Sequence, residues 1–116
     1  MLAEWAKPGD FITTVSAFAD LDPDIIGIAD KVYLDEKECA LRRIQKMAGV
    51  TIDEDKVYGD ICEVMAGKKV RRENEQEIIV YAPVGMGAVD VGVAYEALNL
   101  AAQNNLGKEM ILHESL

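Results

Sequence analysis

Apolar residues alternate along the chain between short contiguous runs and widely spaced stripes, and that alternation predicts strands separated by helices. After the turn signal Lys7-Pro8-Gly9, the β-branched run Phe11-Ile12-Thr13-Thr14-Val15 predicts a buried strand. Leu21-Asp22-Pro23-Asp24-Ile25-Ile26 predicts a helix start, because Asp22 suits the cap, Pro23 suits the first helical position and Leu21 can staple onto Ile26. That helix should run to about Ala29. Lys31-Val32-Tyr33-Leu34 predicts a second strand. Asp35-Glu36-Lys37-Glu38 opens another helix, with Leu41, Ile44 and Met47 as its buried stripe and Gly49 as its stop.

Val57, Ile61, Val64 and Met65 fall at helical spacing and predict a helix from Val57 to Ala66, ended by Gly67. A polar loop, Lys68 to Glu77, leads into the clearest strand, Glu77-Ile78-Ile79-Val80-Tyr81-Ala82. This strand runs directly into Pro83-Val84-Gly85-Met86-Gly87 and a long helix from Ala88 to Asn104, whose apolar face is Val91, Tyr95, Leu98 and Ala102. Asn105-Leu106-Gly107 breaks the helix, and Met110-Ile111-Leu112 predicts a last strand ending at His113 and Glu114. No repeat, low-complexity tract or linker interrupts the pattern, so residues 1–116 read as one α/β domain with a mostly parallel sheet and flanking helices.

Composition narrows the function classes. Half of the 116 residues are hydrophobic and 28% are charged, which predicts a folded core. With 21 acidic and 12 basic side chains the formal charge is −9, which argues against nucleic acid and anionic lipid as partners. The longest apolar run, Ile78 to Val89, is interrupted by Pro83, Gly85 and Gly87 and is too short for a membrane span. The start Met1-Leu2-Ala3-Glu4-Trp5 lacks the basic opening of a signal peptide, so a cytoplasmic location is expected. Cys39 and Cys62 lack metal-ligand spacing and are expected to be buried thiols, and His113 a surface or strand-end residue.

Three places could carry chemistry. Gly85-Met86-Gly87, between a strand and a helix, resembles part of a dinucleotide fingerprint, but Asp90 stands where the third glycine belongs and would repel a pyrophosphate. A tight structural turn and an approach to another part of a ligand both stay open. Lys68, Lys69, Arg71 and Arg72 could clamp a phosphate or carboxylate, although Glu73, Glu75 and Glu77 dilute them and favour a solvated loop. Asp20 follows a strand end, where α/β enzymes place catalytic groups, and is the best general-base candidate by position; a plain loop acid is the alternative.

Several segments in order carry a resemblance: Glu4-Trp5-Ala6-Lys7-Pro8-Gly9, Leu21-Asp22-Pro23-Asp24-Ile25-Ile26, Ala29-Asp30-Lys31-Val32, Ala66-Gly67-Lys68-Lys69-Val70-Arg71-Arg72 running to Glu77-Ile78, and Val84-Gly85-Met86 with Asp90. With these the chain resembles the ornithine cyclodeaminase and mu-crystallin family over nearly its whole length. The resemblance implies the C-terminal half of a Rossmann-like NAD(P)-binding domain, with the glycine-rich phosphate loop lying upstream. It implies NAD or NADP as the cofactor of a full-length parent that acts on a small amino or imino acid. It assigns Val84, Gly85 and Met86 to the turn beside the nicotinamide and Thr13 to the neighbourhood of the reacting carbon. No residue is assigned as catalytic and none as a metal ligand.

The sequence also departs from that family. Thr13 replaces an Asn after the first strand's Ile, the segment from Ile12 to Leu21 is short, and Phe18 stands nearest the place of the family's catalytic Asp. Asp20 lies too close to the Leu21-Asp22-Pro23 helix start to be matched with it. Such shortening is similar to a divergent branch known as a tyramine oxidase accessory subunit. Two functions are therefore expected to compete, a cofactor-domain portion inactive alone and a noncatalytic accessory or assembly subunit. Half of a dinucleotide fold would leave an open sheet edge, so a homo-oligomer or docking on another chain is expected, through the first strand and the long last helix.

Overall fold

The computed structural model describes residues 1–108 and 110. The chain divides into two compact units, Met1–Gly85 and Met86–Leu116.

The first unit is built on four parallel strands: β1 (Phe11–Thr13), β2 (Lys31–Leu34), β3 (Val57–Asp60) and β4 (Ile79–Tyr81), in the order β1-β4-β2-β3. Phe11 and Lys31 both stand opposite Ile79, so the strands begin level with one another. Such a sheet needs crossover connections, and these contain the helices α1 (Ile25–Ile28), α2 (Lys37–Ala48) and α3 (Ile61–Met65). Every residue of β2 is buried, as expected of an inner parallel strand. Ile12, Val32, Leu34, Val80 and Ala82 pack with Ile25, Ile26, Ala40, Ile44, Phe18 and Leu21 in one core. The edge strand β1 buries Ile12 and exposes Phe11 and Thr13.

Local signals explain the helix ends. The Glu36 carboxylate accepts the Glu38 and Cys39 N–H groups at the start of α2, and Gly49 closes it in the left-handed region at φ 68°. Ile44 is buried as expected and Ala40 with it, Leu41 is half-buried against the core, and Met47, expected in the stripe, is exposed. Helix α1 starts at Ile25 rather than at Pro23, because the Asp22 carboxylate holds the Asp24 and Ala3 N–H groups in a turn.

The expected helix from Val57 to Ala66 is corrected. Val57-Tyr58-Gly59-Asp60 forms β3 against β2, with an irregularity that lets Tyr58 stand out of register. Pairing overrides the helical spacing of Val57 and Ile61. The helix begins only after Asp60, which forms a capping box with Glu63; Asp-x-x-Glu at 60–63 was the available signal. Two further corrections concern exposure and length. Cys62 is exposed on the short α3 and Cys39 is only half-buried, so neither is the buried thiol expected. Strand β1 ends at Thr13, because the chain turns at Thr14 and leaves Val15 almost fully exposed.

The second unit contains α4 (Gly87–Gln103). None of its residues is buried, the apolar face Val91, Tyr95, Leu98 and Ala102 included. A helix this apolar ordinarily has a covering surface. The expected strand at residues 110–112, and with it His113, lies outside the described residues, Met110 apart. No helix among the described residues is long and apolar enough to cross a membrane.

Candidate functional site

Parallel α/β sheets place ligands beyond the C-terminal ends of their strands. There, in the first unit, a cleft of about 420 Å³ is lined by Thr14, Val15, Ser16, Ala17, Arg43, Met47, Pro83, Val84 and Gly85. It lies between the segment after β1, the outer side of α2 and the turn after β4.

The turn after β4 is fixed by a residue that reading the sequence missed. Asp35, buried at the end of β2, accepts the Val84 and Gly85 N–H groups with one oxygen at 2.9 and 2.7 Å, and the Glu36 N–H with the other at 3.0 Å. Three backbone donors are thereby satisfied by one carboxylate. In the sequence Asp35 looked like part of an acidic helix cap; a lone Asp closing an apolar strand was the only clue. Gly85 has φ +96°, a conformation that favours glycine, and a side chain added there would meet no atom within 4 Å. The turn thus presents backbone to an open space.

The segment after β1 is held equally firmly. The buried Thr14 hydroxyl donates to the Asp20 carboxylate and accepts the Ser16 N–H at 3.2 Å. Ala17 and Phe18 adopt positive φ, and Phe18 is completely buried in the core. That geometry bears on Asp20. The Thr14 hydroxyl, and after it the Ser16 hydroxyl, hold its carboxyl below the usual carboxylate range. A carboxylate so stabilised is a weak base. The buried Ser16 hydroxyl faces this same carboxylate.

Of the residues singled out in the sequence, Val84 and Gly85 line the cleft. Thr13 is exposed at the end of β1 and does not line it; its neighbour Thr14 does. Met86 opens the second unit, as the residue before α4. The basic group forms no clamp. Arg72 donates to the carbonyls of Glu77 at 2.7 Å and Gly9 at 2.9 Å, Tyr33 donates its hydroxyl to the Val70 carbonyl, and Lys69 stands over the Tyr58 ring. These contacts stitch the 66–77 loop to the N-terminal ends of the strands. A second, apolar groove of about 490 Å³ runs beside β1 and includes Phe11, Ile61, Val64, Ile79 and Tyr81. Burial pushes the Tyr81 phenol up, with the Asp35 charge adding to the effect. No cluster of metal-ligating side chains occurs among the described residues.

Residues 1–103 match the model of the ornithine cyclodeaminase/mu-crystallin family. Alanine dehydrogenase of Archaeoglobus fulgidus is 32% identical over 116 residues, covering 93% of this chain and 35% of the relative. Among solved structures, Delta(1)-pyrroline-2-carboxylate reductase of Thermococcus litoralis in complex with NADH and L-proline superposes with a TM-score of 0.74 at 27% identity, over 95% of this chain and 36% of that one. An archaeal alanine dehydrogenase dimer with bound NAD gives a TM-score of 0.70 at 26% identity, over 97% and 37%. The chain therefore spans about a third of the length of these relatives. Its fold is a partial Rossmann-like α/β fold.

Proposed function

Because the chain belongs to the ornithine cyclodeaminase/mu-crystallin family, we propose that residues 1–116 serve as one C-terminal portion of an NAD(P)-dependent protein acting on amino or imino acids. The observation that carries this reading is the turn Val84-Gly85, held open to the cleft by the buried Asp35. The two solved structures named above hold NADH and NAD. The 116 residues contain no G-x-G-x-x-G, so a phosphate-binding loop would come from another part of the parent. The nicotinamide, when bound, supplies the hydride chemistry. What this chain contributes is orientation. Asp35 fixes the turn, Val84 and Gly85 form the wall against which the ring would pack, with Met86 following, and Thr13 and Thr14 end the strand beside it.

The fit is steric and polar together. A flat ring needs close approach to backbone, and Gly85 provides it where any Cβ would project into the same space. With both turn N–H groups committed to Asp35, the wall keeps its shape whether or not a ligand is present.

The same arrangement supports a second reading, a noncatalytic accessory or assembly subunit. Asp20, the positional candidate for a base, is held ionised by the Thr14 hydroxyl, and Phe18 occupies the core. In either reading the exposed edge of β1 and the unburied apolar helix α4 favour a homo-oligomer or docking on another chain.

A graft decides between them. This chain replaces the matched third of the Archaeoglobus fulgidus alanine dehydrogenase, and NADH binding is followed by fluorescence. The proposal expects saturable binding that Gly85→Val abolishes. A folded chimera blind to NADH overturns it. Binding without turnover of any amino or imino acid favours the accessory reading.

A further inference from the structure

Parallel sheets are ordinarily covered on both faces, and the two faces of this one are covered unequally. Ile12, Val32, Leu34 and Val80 pack against Ile25 and Ile26 of α1 and Ala40 and Ile44 of α2. Phe11, Ile79 and Tyr81 alternate with them along β1 and β4 and line the apolar groove on the opposite face, which α3 borders with Met65. Phe11 is 61% exposed and Met65 72%. Arg71 and Arg72 line the same groove, and no acidic side chain does. Arg72 is held by carbonyls and pairs with no carboxylate among the described residues, so its charge is not offset there. Helix α4 is the converse surface. Val91, Tyr95 and Leu98 are exposed on one side of it and Val89 and Val93 on another, while its charged residues are two acids, Asp90 and Glu96, with no base. A helix apolar on several sides is ordinarily covered, yet no residue of α4 is buried.

We infer that the groove seats α4 of a second copy of this chain, so that two copies each lend the other their long helix. Every chain carries one groove and one such helix, and a twofold axis between two copies satisfies both pairs at once. Apolar surface then meets apolar surface, which supplies the driving force. The carboxylates of Asp90 and Glu96 bring to Arg71 and Arg72 the negative charge that the groove lacks, which selects this helix over an apolar helix with basic flanks. The pairing also covers the face of β1 and β4 that a single copy leaves open. The inference deepens the reading of the chain as self-associating and rests on it, but not on the cofactor.

Sedimentation equilibrium on the whole 116-residue chain tests this, with two variants at exposed positions, Met65→Glu in the groove and Leu98→Glu on α4. Expected is a concentration-dependent dimer whose dissociation constant each variant raises at least about tenfold, because each puts an unpaired carboxylate into an apolar contact. An equimolar mixture of the two variants should associate more tightly than either alone, since one copy keeps a sound helix and the other a sound groove. Helix packed against helix, or groove against groove, gives no such recovery. Circular dichroism follows folding, and Tyr95→Lys replaces Leu98→Glu if that variant loses its helix. A dimer indifferent to Met65→Glu, or a mixture no tighter than its parts, overturns the exchange of helices while self-association stands. A chain that stays monomeric overturns both. Failure of the cofactor reading shows separately, as loss of NADH binding in the grafted enzyme while the dimer persists.

Discussion

The two ends of the same four strands are finished in opposite ways. At the N-terminal ends, buried Lys31 sits between Glu73 at 2.8 Å and Glu77 at 3.0 Å with the Tyr58 ring beside it, and Arg72 ties the segments entering β1 and β4. Lys31, Glu73, Glu77 and Arg72 all find partners within the chain there. At the C-terminal ends charges are fewer, the Thr14 and Ser16 hydroxyls face Asp20, and Gly85 faces open space. Paired charge marks where this chain closes on itself, and open backbone marks the other end.

If burial and one carboxylate hold the ligand end, substitutions there have ranked effects. Phe18→Ala removes a fully buried ring from the core and should lower unfolding free energy by about 3–5 kcal/mol in urea titrations. A loss below about 1 kcal/mol would mean that the segment after β1 is not anchored by Phe18. Asp35→Ala comes next, because it removes the acceptor of the part-buried Val84 and Gly85 N–H groups, at about 0.5–1.5 kcal/mol for each bond. Asp35→Asn should cost less, since its carboxamide oxygen still accepts. Equal losses for the two variants would show that charge rather than acceptance matters. Gly85→Ala should cost about 1–2 kcal/mol from backbone strain alone, as no atom obstructs the new methyl. In the grafted dehydrogenase, that substitution should weaken NADH binding more than it lowers stability.

How much of this was legible follows the same division. The strands at Lys31–Leu34 and Ile79–Tyr81 and the limits of α2 and α4 could be read from apolar runs, a capping Glu36 and glycines, because those signals are local. Strand β3 could not, because Val57 and Ile61 also satisfy helical spacing and only pairing with β2 decides. In the site, Val84 and Gly85 were found through the glycine turn. Asp35 and Thr14 were not, since what distinguishes them is a partner 49 or 50 residues away and a bond across a six-residue loop. Lys68 to Arg72 read as a solvated loop, and only Arg72's bonds to carbonyls were hidden: a basic run looks alike whether its donors face solvent, a ligand or the chain's own carbonyls.

The smallest effect belongs to the N-terminal end and tests whether its ion pairs do more than fill space. The Glu73 N–H at 2.8 Å, and then Lys31, hold the Glu77 carboxyl below its ordinary value of 4.5. Burial alone would lower the Lys31 ammonium, but Glu73 and Glu77 together raise it well above its ordinary value. For Glu77, whose folded value is depressed, the stabilising contribution is complete above the ordinary value and is lost as pH falls through the folded one. For Lys31, whose folded value is raised, the contribution is complete below 10.5 and is lost as pH rises through the folded value. Between these limits the contribution is flat. Glu73 is more than half exposed, so solvent screens its share and the effect should be modest. Amide exchange at Val70 and Arg71, whose carbonyls meet the Tyr33 hydroxyl, should therefore quicken only below the ordinary glutamate range. Lys31→Met should shift that onset toward higher pH. An onset that does not move would leave the Glu73 N–H as the group that holds Glu77 ionised, and the N-terminal end would then be closed by the backbone rather than by charge.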